Sequence, residues 1–140
     1  MSQERAFTLI ETILAITVVA IVIVATAQLT QSSLKLGRTT LARFVAFHQA
    51  EADLEIVRNI RDSNWLRNLD WRTGLSDGIY IISEAQPPWK LEKMDNEKQY
   101  GNSIKISTEN GKMRVEGSVL YSGGLVSLAA EFTDWKKGPL

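Results

Sequence analysis

Between Phe7 and Leu29 the chain carries a single charge, the carboxylate of Glu11, in a run that is otherwise uncharged and mostly apolar. At about 1.5 Å of rise per helical residue, such a run reaches roughly 34 Å and can cross a hydrocarbon core of about 30 Å. An acid embedded there costs about 2.5–3.5 kcal/mol, and such residues as a rule have a partner or a task. Glu11 lies close to the start of the run, so its side chain could also reach back toward the headgroups.

The residues around that acid read Ala6-Phe7-Thr8-Leu9-Ile10-Glu11-Thr12, after a short polar stretch from Met1 to Arg5. In this stretch the chain resembles type IV pilins and the pseudopilins of type II secretion. The resemblance implies a cut by a membrane peptidase between Ala6 and Phe7, and methylation of the new Phe7 amine. It also implies an assembly role for Glu11. Ala6 stands where the family most often has Gly, and it is still a small residue. The pattern has a physical rationale: a cationic Phe7 amine and the Glu11 carboxylate of a neighbouring subunit, each costly in hydrocarbon, would neutralise one another and set axial register.

Composition bounds the rest. The 140 residues suffice for one domain plus a membrane helix. Lys+Arg and Asp+Glu balance at 16 each, so bulk charge gives no argument for nucleic acid or an anionic surface. There is no Cys, so the disulfide that closes many pilin heads is not available to this chain.

The positive-inside count runs against export. Ahead of the span stands only Arg5, offset by Glu4, while Lys35, Arg38 and Arg43 follow it. The large polar C-terminal part after a leader-like span, together with the resemblance, places the head outside the cytoplasm on a single-pass inner-membrane helix. A competing reading is a secretory signal peptide cut after Ala27, at Ala25-Thr26-Ala27. Its h-region would be too long, its n-region lacks net positive charge, and Glu11 would lie inside it.

Helical periodicity continues beyond the span. From Gln28 to Ile60 there is no Pro and one Gly, Gly37, and Leu34, Leu41, Phe44, Val45, Ala52, Ile56 and Ile60 recur at helical spacing. This stripe, opposite Lys35, Arg38, Arg43, Glu51 and Glu55, predicts a helix face packed on a head. The cluster Arg61-Asp62-Ser63-Asn64 predicts the helix end. Residues 65–72 read as a connector packed on the head.

After Gly74 the pattern becomes strand-like. Strands are expected at 78–82, 89–93, 103–108, 113–116, 119–121 and 125–132, with a hairpin at Asn110-Gly111 and another at Gly123-Gly124. Val126, Leu128, Ala130 and Phe132 should share one face. The fold class is thus α+β, and the resemblance makes it pilin-like: leader 1–6, membrane and filament-core helix 7–29, amphipathic continuation 30–62, antiparallel sheet head 63–140.

Catalytic chemistry is sparse. The lone His48 and the lack of Cys leave no nucleophile, base and orienter to assemble, so no enzyme activity and no cofactor are expected. Asp95-Asn96-Glu97 has oxygen ligands but no EF-hand spacing and reads as a solvated turn, without a metal. Arg58, Arg61, Arg67 and Arg72, interleaved with Trp65 and Trp71, are the candidates for nucleic-acid contact; nearby Glu51, Asp53, Glu55, Asp62 and Asp70 could neutralise them instead.

Residues 50–65 and 126–136 further resemble minor pilins and small pseudopilins. The resemblance implies a structural, low-copy subunit. Its partners would be sister pilins or pseudopilins, the prepilin peptidase, an inner-membrane platform with its ATPase, and membrane lipid before assembly. The alternatives are a pilus-tip adhesin, a DNA-binding minor pilin, or a secreted soluble domain.

Overall fold

No proline occurs before Pro87, so each backbone N–H beyond a helix's first turn can find its carbonyl four residues back, and the chain uses that freedom over a long stretch. The computed structural model describes residues 8–83, 89–94 and 101–134. Helix α1 spans Leu9–Leu66. It passes through Gly37 without interruption. Contacts divide the chain into two units, Met1–Thr40 and Leu41–Leu140.

In the first unit every described residue from Leu9 onward is helical, and nearly all are exposed. Its large side chains are exposed among the described residues: Leu9 is 81% and Ile23 61% accessible. The helix is long and apolar enough to cross a membrane, and none of its most apolar window is buried. The α+β class and the long apolar helix of the sequence reading are both present.

In the second unit the rest of α1 lies on a five-stranded antiparallel sheet, order β2-β1-β3-β4-β5. The strands are β1 (Gly78–Ile82), β2 (Leu91–Met94), β3 (Asn102–Glu109), β4 (Lys112–Tyr121) and β5 (Gly124–Phe132). The β3–β4 hairpin turns at Asn110 (φ 52°) and Gly111 (φ 77°). Two consecutive left-handed residues make the type I′ turn that matches strand twist, as Asn-Gly implies. Val57, Leu75, Ile104, Ile106, Met113 and Val115 form the centre of the core. Ala46, Ala50 and Val119 form a second cluster.

Four expectations need correction. The helix face expected on the head is met only in part: Ile56 is buried and Ile60 packs against the core, but Leu41, Phe44 and Val45 are exposed, and the buried line is Ala46, Ala50, Asp53, Ile56 and Val57. Close approach explains the shift. A Cβ on Gly117 of β4 would lie 3.1 Å from the Ala50 carbonyl oxygen, so only small residues fit where helix and strand cross. The same crossing explains why 113–116 and 119–121 are one continuous strand instead of two: Gly117 is a contact point and no break.

The third correction is the helix end. The helix runs past Asn64 to Leu66. It stops where Asn68 turns left-handed (φ 55°), with Asn68 N–H donating to the Trp65 carbonyl (3.1 Å) and Leu69 N–H to the Asn64 carbonyl (2.9 Å). This is a Schellman termination with Asn in the place glycine usually takes. The second hairpin also turns one residue early, at Ser122-Gly123.

Candidate assembly segment and head surface

Polar groups in the apolar stretch are handled in two ways. The threonines fold their hydroxyls onto their own helix: Thr12 Oγ1 donates to the Leu9 carbonyl (2.9 Å), Thr17 Oγ1 to Ile13 (2.8 Å) and Thr26 Oγ1 to Val22 (2.9 Å). Each hydroxyl proton is thereby satisfied without water, which a hydrocarbon surrounding requires. The Glu11 carboxylate is different. It sits in the first turn, where the unpaired N–H groups favour negative charge, and among the described residues its side chain has no hydrogen-bond or ion-pair partner. Ala6 and Phe7, the expected cleavage and methylation positions, lie outside the described residues.

On the head, three of the four arginines expected as nucleic-acid contacts, Arg58, Arg61 and Arg72, have partners within the head. Arg58 bonds Glu55 one turn back (2.7 Å). Arg61 lies 4.7 Å from the Trp65 ring and 5.1 Å from the Phe132 ring, with Asp62 at 2.8 Å; its side chain is 12% accessible. Arg72 reaches Asp77 (3.4 Å) and the Thr108 hydroxyl. Arg67 follows the helix end and is exposed. Stacking between aromatic rings is a packing role that a planar, weakly hydrated guanidinium fills well.

Asp77 is the hub that ties the connector to the sheet. The Thr108 hydroxyl donates to its Oδ1 (2.6 Å), and Lys93 Nζ donates to its carbonyl oxygen (3.1 Å). The Thr108 bond, helped by Arg72 and Lys93, holds the Asp77 carboxyl below the usual carboxylate range. Asn64 plays the matching part at the helix end: it is buried, and its Nδ2 donates to the Thr73 carbonyl (2.8 Å) and the Trp71 carbonyl (3.3 Å).

Asp53 is the one buried ion-forming side chain among the described residues, facing the sheet over Gly117. Burial pushes its carboxyl up from the ordinary value, against a bond from Gln49 Nε2 (3.3 Å). It lines a cleft of about 620 Å³ with Ile56, Tyr80, Ile82, Trp89 and Ser103.

Sequence reasoning treated Asp53 as a surface counter-charge and did not single out Asp77 or Gly117. For Asp53 a signal existed, since it falls on the Ala46, Ala50, Val57 line at helical spacing. For Asp77 none did, because its partner Thr108 is far away in sequence.

No catalytic constellation is present among the described residues. His48 is exposed, pairs with Glu51 (2.9 Å) and packs edge-on against Phe44 (4.3 Å between centroids). No group of metal-ligating side chains occurs there either. The Asp95-Asn96-Glu97 turn lies outside the described residues.

Comparison with known proteins finds a likeness to the family described as "Prokaryotic N-terminal methylation motif", over residues 1–27. No curated protein matches the chain, and no solved structure does. The matched residues include Glu11 and most of the exposed apolar stretch, and they point to a structural pilin-type protein. With that motif at the head of a long apolar helix, the chain bears the signature of the type IV pilins and pseudopilins.

Proposed function

We propose that this chain is a low-copy structural subunit of a type IV pilus or a type II secretion pseudopilus. The observation that carries the reading is the coincidence of the methylation motif with an apolar helix whose most apolar window is not buried by the described residues. Such a surface is stable in lipid or against other helices of its kind, and the two states can exchange with little change in apolar exposure. The prepilin peptidase cuts between Ala6 and Phe7, and the Phe7 amine is methylated. The helix anchors the chain in the inner membrane with its head outside, then moves into the filament core on the assembly platform.

In the filament, Glu11 meets the Phe7 amine of a neighbour, and the pair fixes axial register. That Glu11 has no hydrogen-bond or ion-pair partner among the described residues is in keeping with this role. The low-copy assignment rests on the likeness of residues 50–65 and 126–136 to minor subunits. In domain terms, 1–6 is the leader, 7–29 the membrane and core segment, 30–62 its continuation and 63–140 the head. A nucleic-acid role for Arg61 and Arg72 is less favoured, because both are engaged inside the head.

The test is co-expression with a prepilin peptidase and mass measurement of the product. A mature chain beginning at methylated Phe7 is expected; one beginning at Gln28 would mark a signal peptide. Glu11→Ala should insert normally and fail to enter filaments, and normal incorporation of that variant would remove the register role.

A further inference from the structure

Between Glu11 and Glu51, helix α1 carries no acid and three Lys or Arg side chains, Lys35, Arg38 and Arg43. Lys35 and Arg38 belong to the unit that holds the apolar stretch, and both are exposed. Among the described residues neither has a hydrogen-bond or ion-pair partner. They stand three residues apart, so they are neighbours on one helix face, where two like charges repel. Gln31, also exposed, lies one turn earlier on that face and adds an amide donor.

Helical rise sets the depth of this pair. At about 1.5 Å per residue, Gln31 stands about 30 Å from Glu11, Lys35 about 36 Å and Arg38 about 40 Å. A bilayer measures about 30 Å across its hydrocarbon and about 40–45 Å with its headgroups. With Glu11 at one edge of the hydrocarbon, Gln31 marks the other edge, and Lys35 and Arg38 follow at the level of the headgroups. Helical side chains lean toward the N-terminus, which here is toward the bilayer, so both cations reach back to the phosphates.

We propose that Lys35 and Arg38, with Gln31 beside them, hold the phosphate of an anionic phospholipid of the phosphatidylglycerol type, in the leaflet on the C-terminal side of the span. The guanidinium spans the two free oxygens of the phosphodiester, and the lysine approaches as a point charge. A diester without an ammonium of its own relieves the repulsion within the pair. A zwitterionic headgroup brings a further cation to it, so the net charge of the lipid is what the pair selects. The contact fixes the depth of the helix, while burial of the apolar stretch keeps the chain in the bilayer. It also gives a use to cations on a side where the positive-inside bias opposes them. The inference rests on the membrane-anchored stage of the proposed function and names the lipid class met there.

The chain has no cysteine, so a single fluorophore can be placed on it. Gln28 lies on the face of Lys35 and Arg38, two turns nearer the bilayer centre, where the acyl chains of a lipid held by the pair begin; Thr26 lies at about the same depth on the opposite face. Full-length Gln28→Cys and Thr26→Cys, each labelled and reconstituted in phosphatidylcholine vesicles, are titrated with phosphatidylglycerol or phosphatidylcholine brominated on the acyl chains. At Gln28→Cys, brominated phosphatidylglycerol should quench at a mole fraction lower by about five-fold or more, the gain of one cation near an anionic surface. At Thr26→Cys the two lipids should quench alike.

Adding Lys35→Gln with Arg38→Gln to Gln28→Cys should equalise the two lipids, and glutamine at both exposed positions keeps the helix. The exchange Lys35→Arg with Arg38→Lys should retain the preference. Equal quenching at Gln28→Cys, a preference that survives loss of both cations, or one as large at Thr26→Cys overturns the proposal while leaving the membrane helix in place. Quenching by neither lipid at either position means that the helix lies outside the bilayer, which overturns the membrane-anchored reading and this inference with it.

Discussion

Two carboxylates of the head respond to pH in opposite senses. Asp77 is held below the ordinary carboxylate range by Thr108, so its stabilising effect is present above the unfolded pKa of about 3.9 and is lost as pH falls through its lower folded value. Asp77→Asn should therefore melt below the parent at neutral pH, and the gap should close in strong acid. Asp53 has a raised pKa, mainly from burial, so ionised Asp53 opposes folding at neutral pH and the penalty fades as acid protonates it. Asp53→Asn should melt above the parent at pH 7, with the difference vanishing near pH 3–4, about where the unfolded carboxylate also takes its proton. Thermal melts of the full chain across that range check both signs. Gly117→Val tests the close crossing of helix and strand: overpacking against the Ala50 carbonyl should cost about 1–3 kcal/mol in equilibrium urea unfolding.

At the scale of elements, patterning gave away the strands and the first hairpin, because alternation and Asn-Gly are local signals. It placed Ile56 and Ile60 rightly and misjudged the earlier part of the buried helix face. Leu41, Phe44 and Val45 look like core by hydropathy, yet the crossing selects Ala46 and Ala50, since what decides is how near the backbone must come to Gly117. It also stopped the helix at Asn64, a residue that looks like a terminator but spends its amide on the connector. Asn64→Leu should leave those two carbonyls short of a donor and cost about 1–3 kcal/mol, read as a lowered urea midpoint at unchanged slope. Gly111→Ala, at φ 77°, should cost about 1–2 kcal/mol by the same measurement, from forcing a Cβ into left-handed geometry.

For the molecule as a whole, the apolar helix dominates behaviour in the cell, and its retention should be hydrophobic in origin. The full chain should stay with membranes through high salt and alkaline extraction, conditions that strip proteins held by charge. Val19→Arg, at an exposed position of the apolar segment, adds about 2.5–3.5 kcal/mol to insertion and should shift the chain toward the soluble or aggregated fraction. The threonines of that segment should tolerate Thr→Val changes with little loss of insertion, since their hydroxyls bond only to their own helix.

The sequence by itself determined the membrane-competent helix, the acid near its start, the methylation motif and the strand character of the C-terminal half. All of these are carried by neighbours along the chain, through rise per residue, side-chain period and turn chemistry. Tertiary structure alone decided which helix face is buried, that Asp53 is enclosed, that Arg61 is sandwiched between rings, and that Asp77 joins the connector to β3. Those outcomes depend on distances between segments far apart in sequence, where the closest fit of backbones, more than the hydropathy of any one residue, selects what can lie inside.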